Sequence, residues 1–165
     1  MVSIVKAFDA VNFKDGSLRE ISINEMTVSE WNELILYISK IYPTQNNLNL
    51  NNPINIYDLL KDSKNNYFCL KIGLKKDISV DFITYFDEKG FDILGFNYDP
   101  QEVNLSSFHE IYTFMKTIGD FTKKNIFITP ENCYDDVMLE YCNNLSKFYY
   151  INNNHKILIE GCLNN

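Results

Sequence analysis

A chain of 165 residues has the length of one domain and enough apolar material for a sizeable core. With 12 Phe and 11 Tyr it is not a disordered chain. The formal charge of -7 argues against non-specific binding to nucleic acid or to an anionic membrane, both of which need a basic surface, and is compatible with a basic protein partner.

The same acidic excess also keeps a cytosolic protein soluble. The N-terminus alternates polar and apolar residues and lacks the hydrophobic block of a signal peptide. No apolar run approaches the roughly 20 residues that a membrane-spanning helix needs. The expected location is therefore the cytoplasm, with reduced thiols. Cys69, Cys133, Cys142 and Cys162 show neither C-x-x-C spacing nor pairing with histidine, so no metal site is expected. Cys69 falls in an apolar strand pattern and is expected as a small buried hydrophobe. Residues 1–165 read as a single domain, without repeats or a linker.

In chain order, Val2 to Phe13 and Leu18 to Asn24 read as two strands joined by the turn Lys14-Asp15-Gly16-Ser17. Thr27-Val28-Ser29-Glu30 then fits a capping box, and Val28, Trp31, Leu34, Ile35, Ile38, Ile41 and Tyr42 mark one helical face, stopped by Pro43. Thr44 to Asn55 reads as a polar loop, followed by a short helix around Ile56 to Asp62. Tyr67 to Leu74, Ile78 to Phe86 and Phe91 to Tyr98 read as three consecutive antiparallel strands, the last two joined by Asp87-Glu88-Lys89-Gly90. Phe68, Leu70 and Ile72, with Val80 and Phe82, fall on one face of this meander. Lys71, Asp81, Tyr85 and Asp92 fall on the other.

The apolar face needs a helical cover. Ser107-Phe108-His109-Glu110 matches a second capping box, opening a helix from Phe108 to about Ile118 that Gly119 ends. Asn125 to Thr129 reads as a strand ended by Pro130. In the tail, Leu145 to Ile151 and Lys156 to Glu160 read as a hairpin across Asn152-Asn153-Asn154. The fold class is α+β: an antiparallel sheet with a central three-stranded meander, covered by two main amphipathic helices.

No phosphate-binding glycine loop, nucleophile elbow or metalloprotease histidine pair occurs, so no cofactor and no catalytic residue is expected. His109 would sit at the start of a capped helix and His155 in an Asn-rich turn, both as ordinary exposed residues. Asp81 and Asp92 would lie side by side on the polar face of the meander, an arrangement that suits a hydrolytic carboxylate pair. Like charges directly opposite destabilise a sheet, which favours a solvated or partner-binding face instead. Trp31 falls in register with the helix stripe and reads as a core anchor. Tyr85, exposed and flanked by aspartates, has the composition of a protein-binding patch against a basic partner.

Two segments carry a resemblance. Asn12-Phe13-Lys14-Asp15-Gly16-Ser17-Leu18-Arg19-Glu20 leads to a helix opening near Ser29-Glu30-Trp31, and much later Ile118 to Asn132 runs from helix to strand to loop. This order resembles small immunity proteins encoded beside bacterial polymorphic toxins, including contact-dependent growth-inhibition systems. The matching pieces cover about a fifth of the chain. The resemblance implies a cytoplasmic protein that binds and occludes one cognate toxin domain, and it transfers no binding residues by position.

The residues together give an inhibitor of a basic partner that uses Asp81, Tyr85 and Asp92 first, and the acidic turn at Asp87 and Glu88 second. The alternatives are a small hydrolase or transferase using His109, Cys133 or paired aspartates, and a homodimeric scaffold module.

Overall fold

A computed structural model describes residues 1–48, 54–57, 67–75, 77–87 and 90–160, with the side chains of 86–94 outside that description. The segment expected as a first strand is mostly a helix. Only Val2–Ser3 are extended (β1); Ile4–Val11 form α1, capped by the Ser3 hydroxyl, which accepts from the Lys6 amide. Ile4, Ala7, Phe8 and Val11 are spaced i, i+3, i+4, i+7, a 3.6-residue stripe whose members Ala7 and Val11 are fully buried. The turn at 14–17 therefore joins a helix to strand β2 (Arg19–Ile23) rather than closing a hairpin.

Helix α2 (Val28–Ile41) starts as its sequence indicates. The Thr27 hydroxyl accepts from the Glu30 amide, and the Glu30 carboxylate accepts from the Thr27 amide at 2.7 Å. That bond, with help from Lys124, holds Glu30 down at about 2. Tyr42 takes an extended conformation ahead of Pro43, as the residue before a proline favours. The next residues, Thr44–Asn46, are a short edge strand (β3) instead of loop, because they pair with Leu70–Ile72. Of the short helix expected at 56–62, Ile56 and Tyr57 are helical and the rest lies outside the described residues.

The meander is present as β4 (Tyr67–Gly73), β5 (Ser79–Asp87) and β6 (Gly90–Tyr98), with a register shift at Ile83/Thr84. The covering helix α3 (Leu105–Thr122) differs from its expected bounds. Its cap is Asn104, which exchanges hydrogen bonds with Ser107, so the box lies three residues upstream of Ser107-Phe108-His109-Glu110. It also runs through Gly119 and ends at Lys123, which takes the left-handed conformation. Strands β7 (Ile126–Pro130), β8 (Leu139–Cys142), β9 (Lys147–Asn152) and β10 (His155–Glu160) complete the chain. The β9–β10 hairpin turns on Asn153 and Asn154, both at positive φ, as a two-residue hairpin loop prefers.

The ten strands form one sheet in the order β1-β10-β9-β8-β7-β2-β6-β5-β4-β3, antiparallel except for the β1–β10 pair. The α+β class stands, but the sheet has ten strands rather than a three-stranded meander, and among the described residues α1 adds a third helix. Strand β2, in the middle, pairs with β6 on one side and β7 on the other.

Helices cover one face. Trp31 of α2 packs on Phe82 and Phe96, Phe114 of α3 meets Phe96 edge-on, and Tyr112 of α3 packs on Phe148. Helix α1 joins the layer through Phe8 against Phe108. Burying these rings, with Phe68, Leu70, Ile21 and Ile128 from the strands, supplies most of the stabilisation. No helix among the described residues is long and apolar enough to cross a membrane.

Candidate partner-binding face

Side chains directly opposite each other across a sheet point to the same side. Following the pairs from β4 to β7, Lys71 faces Asp81, Asp81 faces Asn97, Asn97 faces Glu20, and Glu20 faces Thr129. A polar row thus crosses five strands on the face away from the helices. Parallel to it, Tyr67 faces Tyr85, whose register partner on β6 is Asp92. The register corrects one expectation: Asp81 and Asp92 are not side by side, because Asn97 lies opposite Asp81.

Tyr67 and Tyr85 are 38% and 47% exposed, with ring centroids 5.4 Å apart. Burial of its hydroxyl pushes Tyr67 up to about 12, helped by a hydrogen bond with the Cys69 thiol. Cys69 itself points to this outer face and is half-buried, not a core residue; burial pushes its thiol up as well. Asp81 is half-buried, and the loss of water raises its carboxyl above the usual range, opposed by Lys71 and reinforced by Glu102. Asp87 pairs with Gly90 across the hairpin; Glu88 lies outside the described residues.

Glu20, which the sequence did not single out, is the most perturbed carboxyl of the row. It is 3% exposed, and its desolvation lifts it to about 7, with Glu131 raising it further and the Asn132 amide opposing. No family model, no curated protein and no solved structure matches this chain.

The same face hollows out toward β10. The β7–β8 connection, a segment of loop and turn, folds beside β7, β8 and β9 and borders an open cavity of about 580 Å³. Phe127, Val137 and Ile151 give it apolar walls, and Asp135, Asp136 and Glu140 an acidic character. Glu140 is buried and satisfied, with Oε2 2.6 Å from Lys156 Nζ and Oε1 accepting from Asn125 at 3.0 Å. The aspartate pair at 135–136 thus rims a cavity.

The residues of the hydrolase alternative are scattered. His109 lies on α3 and is half-buried, His155 is exposed at the β9–β10 turn, and Cys133 is exposed in the β7–β8 connection. No group of three or more His, Cys, Asp or Glu among the described residues is arranged to hold a metal ion. Arg19 is 1% exposed and structural: it donates to the carbonyls of Val11 at 2.6 Å and Phe13 at 2.5 Å, and to Ser17 Oγ at 2.8 Å. Glu131 takes part in the same corner, where its amide donates to the Leu18 carbonyl.

Proposed function

We propose that this chain is a cytoplasmic binding protein whose outer sheet face docks a basic protein partner and occludes it, as an immunity protein does to its cognate toxin. The observation that carries this reading is the exposed Tyr67–Tyr85 pair set beside Asp81 on the face away from the helices. Tyrosines are the side chains most often found anchoring interfaces, because they bury large area with little rotamer entropy. Carboxylates around them, with the charge of -7, speed the approach of a basic partner. The resemblance to immunity proteins supplies the toxin as the partner class, and the cavity beside Phe127 offers a second foothold on the same face.

The test is capture from the native host with this protein as bait, run beside the double variant Tyr67→Ala/Tyr85→Ala and the control Leu145→Ala, whose exposed residue lies away from the aromatic pair. A stoichiometric basic protein that is retained by the control and lost by the double variant is the expected result. A partner captured equally by all three, or recovery of this chain alone, removes the reading and favours the scaffold or enzyme alternatives.

A further inference from the structure

The open cavity on the outer face has three carboxylates and one ammonium in its lining, Asp135, Asp136 and Glu140 against Lys156. Glu140 is buried and already satisfied, one oxygen 2.6 Å from Lys156 Nζ and the other accepting from Asn125. Those two opposite charges cancel. Asp135 and Asp136 are different: both are exposed, and among the described residues neither is in an ion pair. Two successive turns fix them at the rim, the Cys133 amide donating to the Pro130 carbonyl at 3.1 Å and the Asp136 amide to the Cys133 carbonyl at 3.0 Å. The apolar walls, Phe127, Val137 and Ile151, are each only half-buried, so part of the apolar lining stays wet.

A group that fits this lining has a positive head for the two free carboxylates and an apolar stem for the walls, which is the make-up of a lysine or arginine side chain. The volume of about 580 Å³ lies within the roughly 300–1,000 Å³ of ligand-binding clefts. The open mouth decides between sources of such a cation. A bound small molecule is ordinarily covered over most of its surface, whereas here one flank would stay in water. A side chain carried on another protein brings its own cover. The Tyr67–Tyr85 pair lies on the same face, with β5 four strands from β8, about 19 Å at the spacing of paired strands. A standard interface covers about 800 Å² of each partner, a patch roughly 30 Å across, and so takes in both.

We propose that the cavity receives a lysine or arginine side chain of the basic partner, its head against Asp135 and Asp136 and its stem on Phe127, Val137 and Ile151. The proposal rests on the reading of the outer face as the partner surface. In it the tyrosine pair supplies area and the cavity supplies selection: a partner that presents an acidic side chain there meets like charge, and one that presents a short side chain leaves the walls wet.

The probe is n-butylguanidinium chloride, titrated against the full chain while the methyl signals of Val137 and Ile151 are followed by NMR. Its uncharged isostere n-butylurea and the stemless methylguanidinium are the controls. The expected result is saturable binding of n-butylguanidinium with a dissociation constant on the order of millimolar, and weaker binding of both controls. Asp135→Asn/Asp136→Asn is expected to weaken the probe at least about fivefold. Because it alters exposed groups, it should leave the thermal midpoint within roughly 2 °C. Val137→Phe fills the cavity without touching its charge and should block the probe too. Capture of the partner from the native host should then fall with both variants. Equal binding of n-butylguanidinium and n-butylurea overturns the proposal, and so does equal binding of the probe to the native and the Asp135→Asn/Asp136→Asn chains. A partner whose capture depends on Tyr67 and Tyr85 but not on Asp135, Asp136 or Val137 also overturns it, and leaves the outer-face reading standing. Probe binding with no protein partner gives the cavity to a free alkyl cation, which overturns the proposal and removes that reading as well.

Discussion

Gly119 of α3 lies flat against the ring of Tyr141 on β8: a Cβ at position 119 would fall 2.7 Å from Cδ1 and Cε1 of that ring and 3.1 Å from Ile126 Cγ1. The bare backbone lets α3 dock closely on the sheet. The ring has no room to retreat, since Tyr141 is fully buried and its hydroxyl donates to Asp120 at 2.7 Å. Replacing Gly119 by Ala gains about 1 kcal/mol of helix propensity. Overpacking of this kind costs about 1–3 kcal/mol, and here it falls on the Tyr141 ring and the Ile126 side chain together. Gly119→Ala is expected to lower the urea midpoint at unchanged slope; a raised midpoint contradicts this packing.

Arg19 organises the corner between α1 and β2 by donating to two carbonyls and a hydroxyl while almost wholly buried. Its contact with Asp15 adds to the bonds from Ser17 that hold the Asp15 carboxyl well below the usual range. Lysine cannot reproduce the fork. Arg19→Lys is expected to destabilise by about 1–3 kcal/mol, the cost of leaving buried acceptors unpaired. Denaturant unfolding measures it, and a change under about 0.5 kcal/mol, typical of surface sites, would show the corner is not held by this side chain.

Glu20 makes stability depend on pH in a direction opposite to most carboxylates. Its folded value, about 7, lies above the ordinary 4.5, so the folded state favours the protonated form. That contribution is fully present below about 4.5 and is lost as pH rises through 7. Glu20→Gln removes the dependence. The variant should therefore gain stability over the native protein between pH 4.5 and 8, by on the order of 2–3 kcal/mol. Parallel urea titrations at the two pH values measure this, and a constant difference between the proteins would mean that Glu20 ionises normally.

Much of the fold follows from local pattern. Alternation placed β4, β5 and β6 and put Asp81 and Tyr85 on the outer face, and the Thr27–Glu30 box started α2 where expected. What pattern could not reach was non-local or ambiguous. Ile4, Ala7, Phe8 and Val11 fit a helix, yet polar neighbours between them also fit a strand, and packing against α3 decides. Gly119 looks like a terminator because helix ends favour glycine, whereas here the residue is small to admit Tyr141. The Asn104–Ser107 box lacks the acidic third residue that marks such caps. The candidate site was half legible for the same reason. Glu20, Asn97 and Thr129 come from three strands far apart in the chain, and only the β6–β2–β7 pairing aligns them with Asp81. A glutamate alternating with Arg19 and Ile21 carries no sign of its burial.

The most direct test of the outer face as the partner surface is calorimetric titration of the captured partner with the native chain and with Tyr67→Ala/Tyr85→Ala. Both rings are exposed, so the double variant should fold with a stability change within about 1 kcal/mol. The expected result is a dissociation constant at least about tenfold weaker, with binding to the native chain weakening further as salt rises. A dissociation constant unchanged by the double replacement would contradict the assignment of this face.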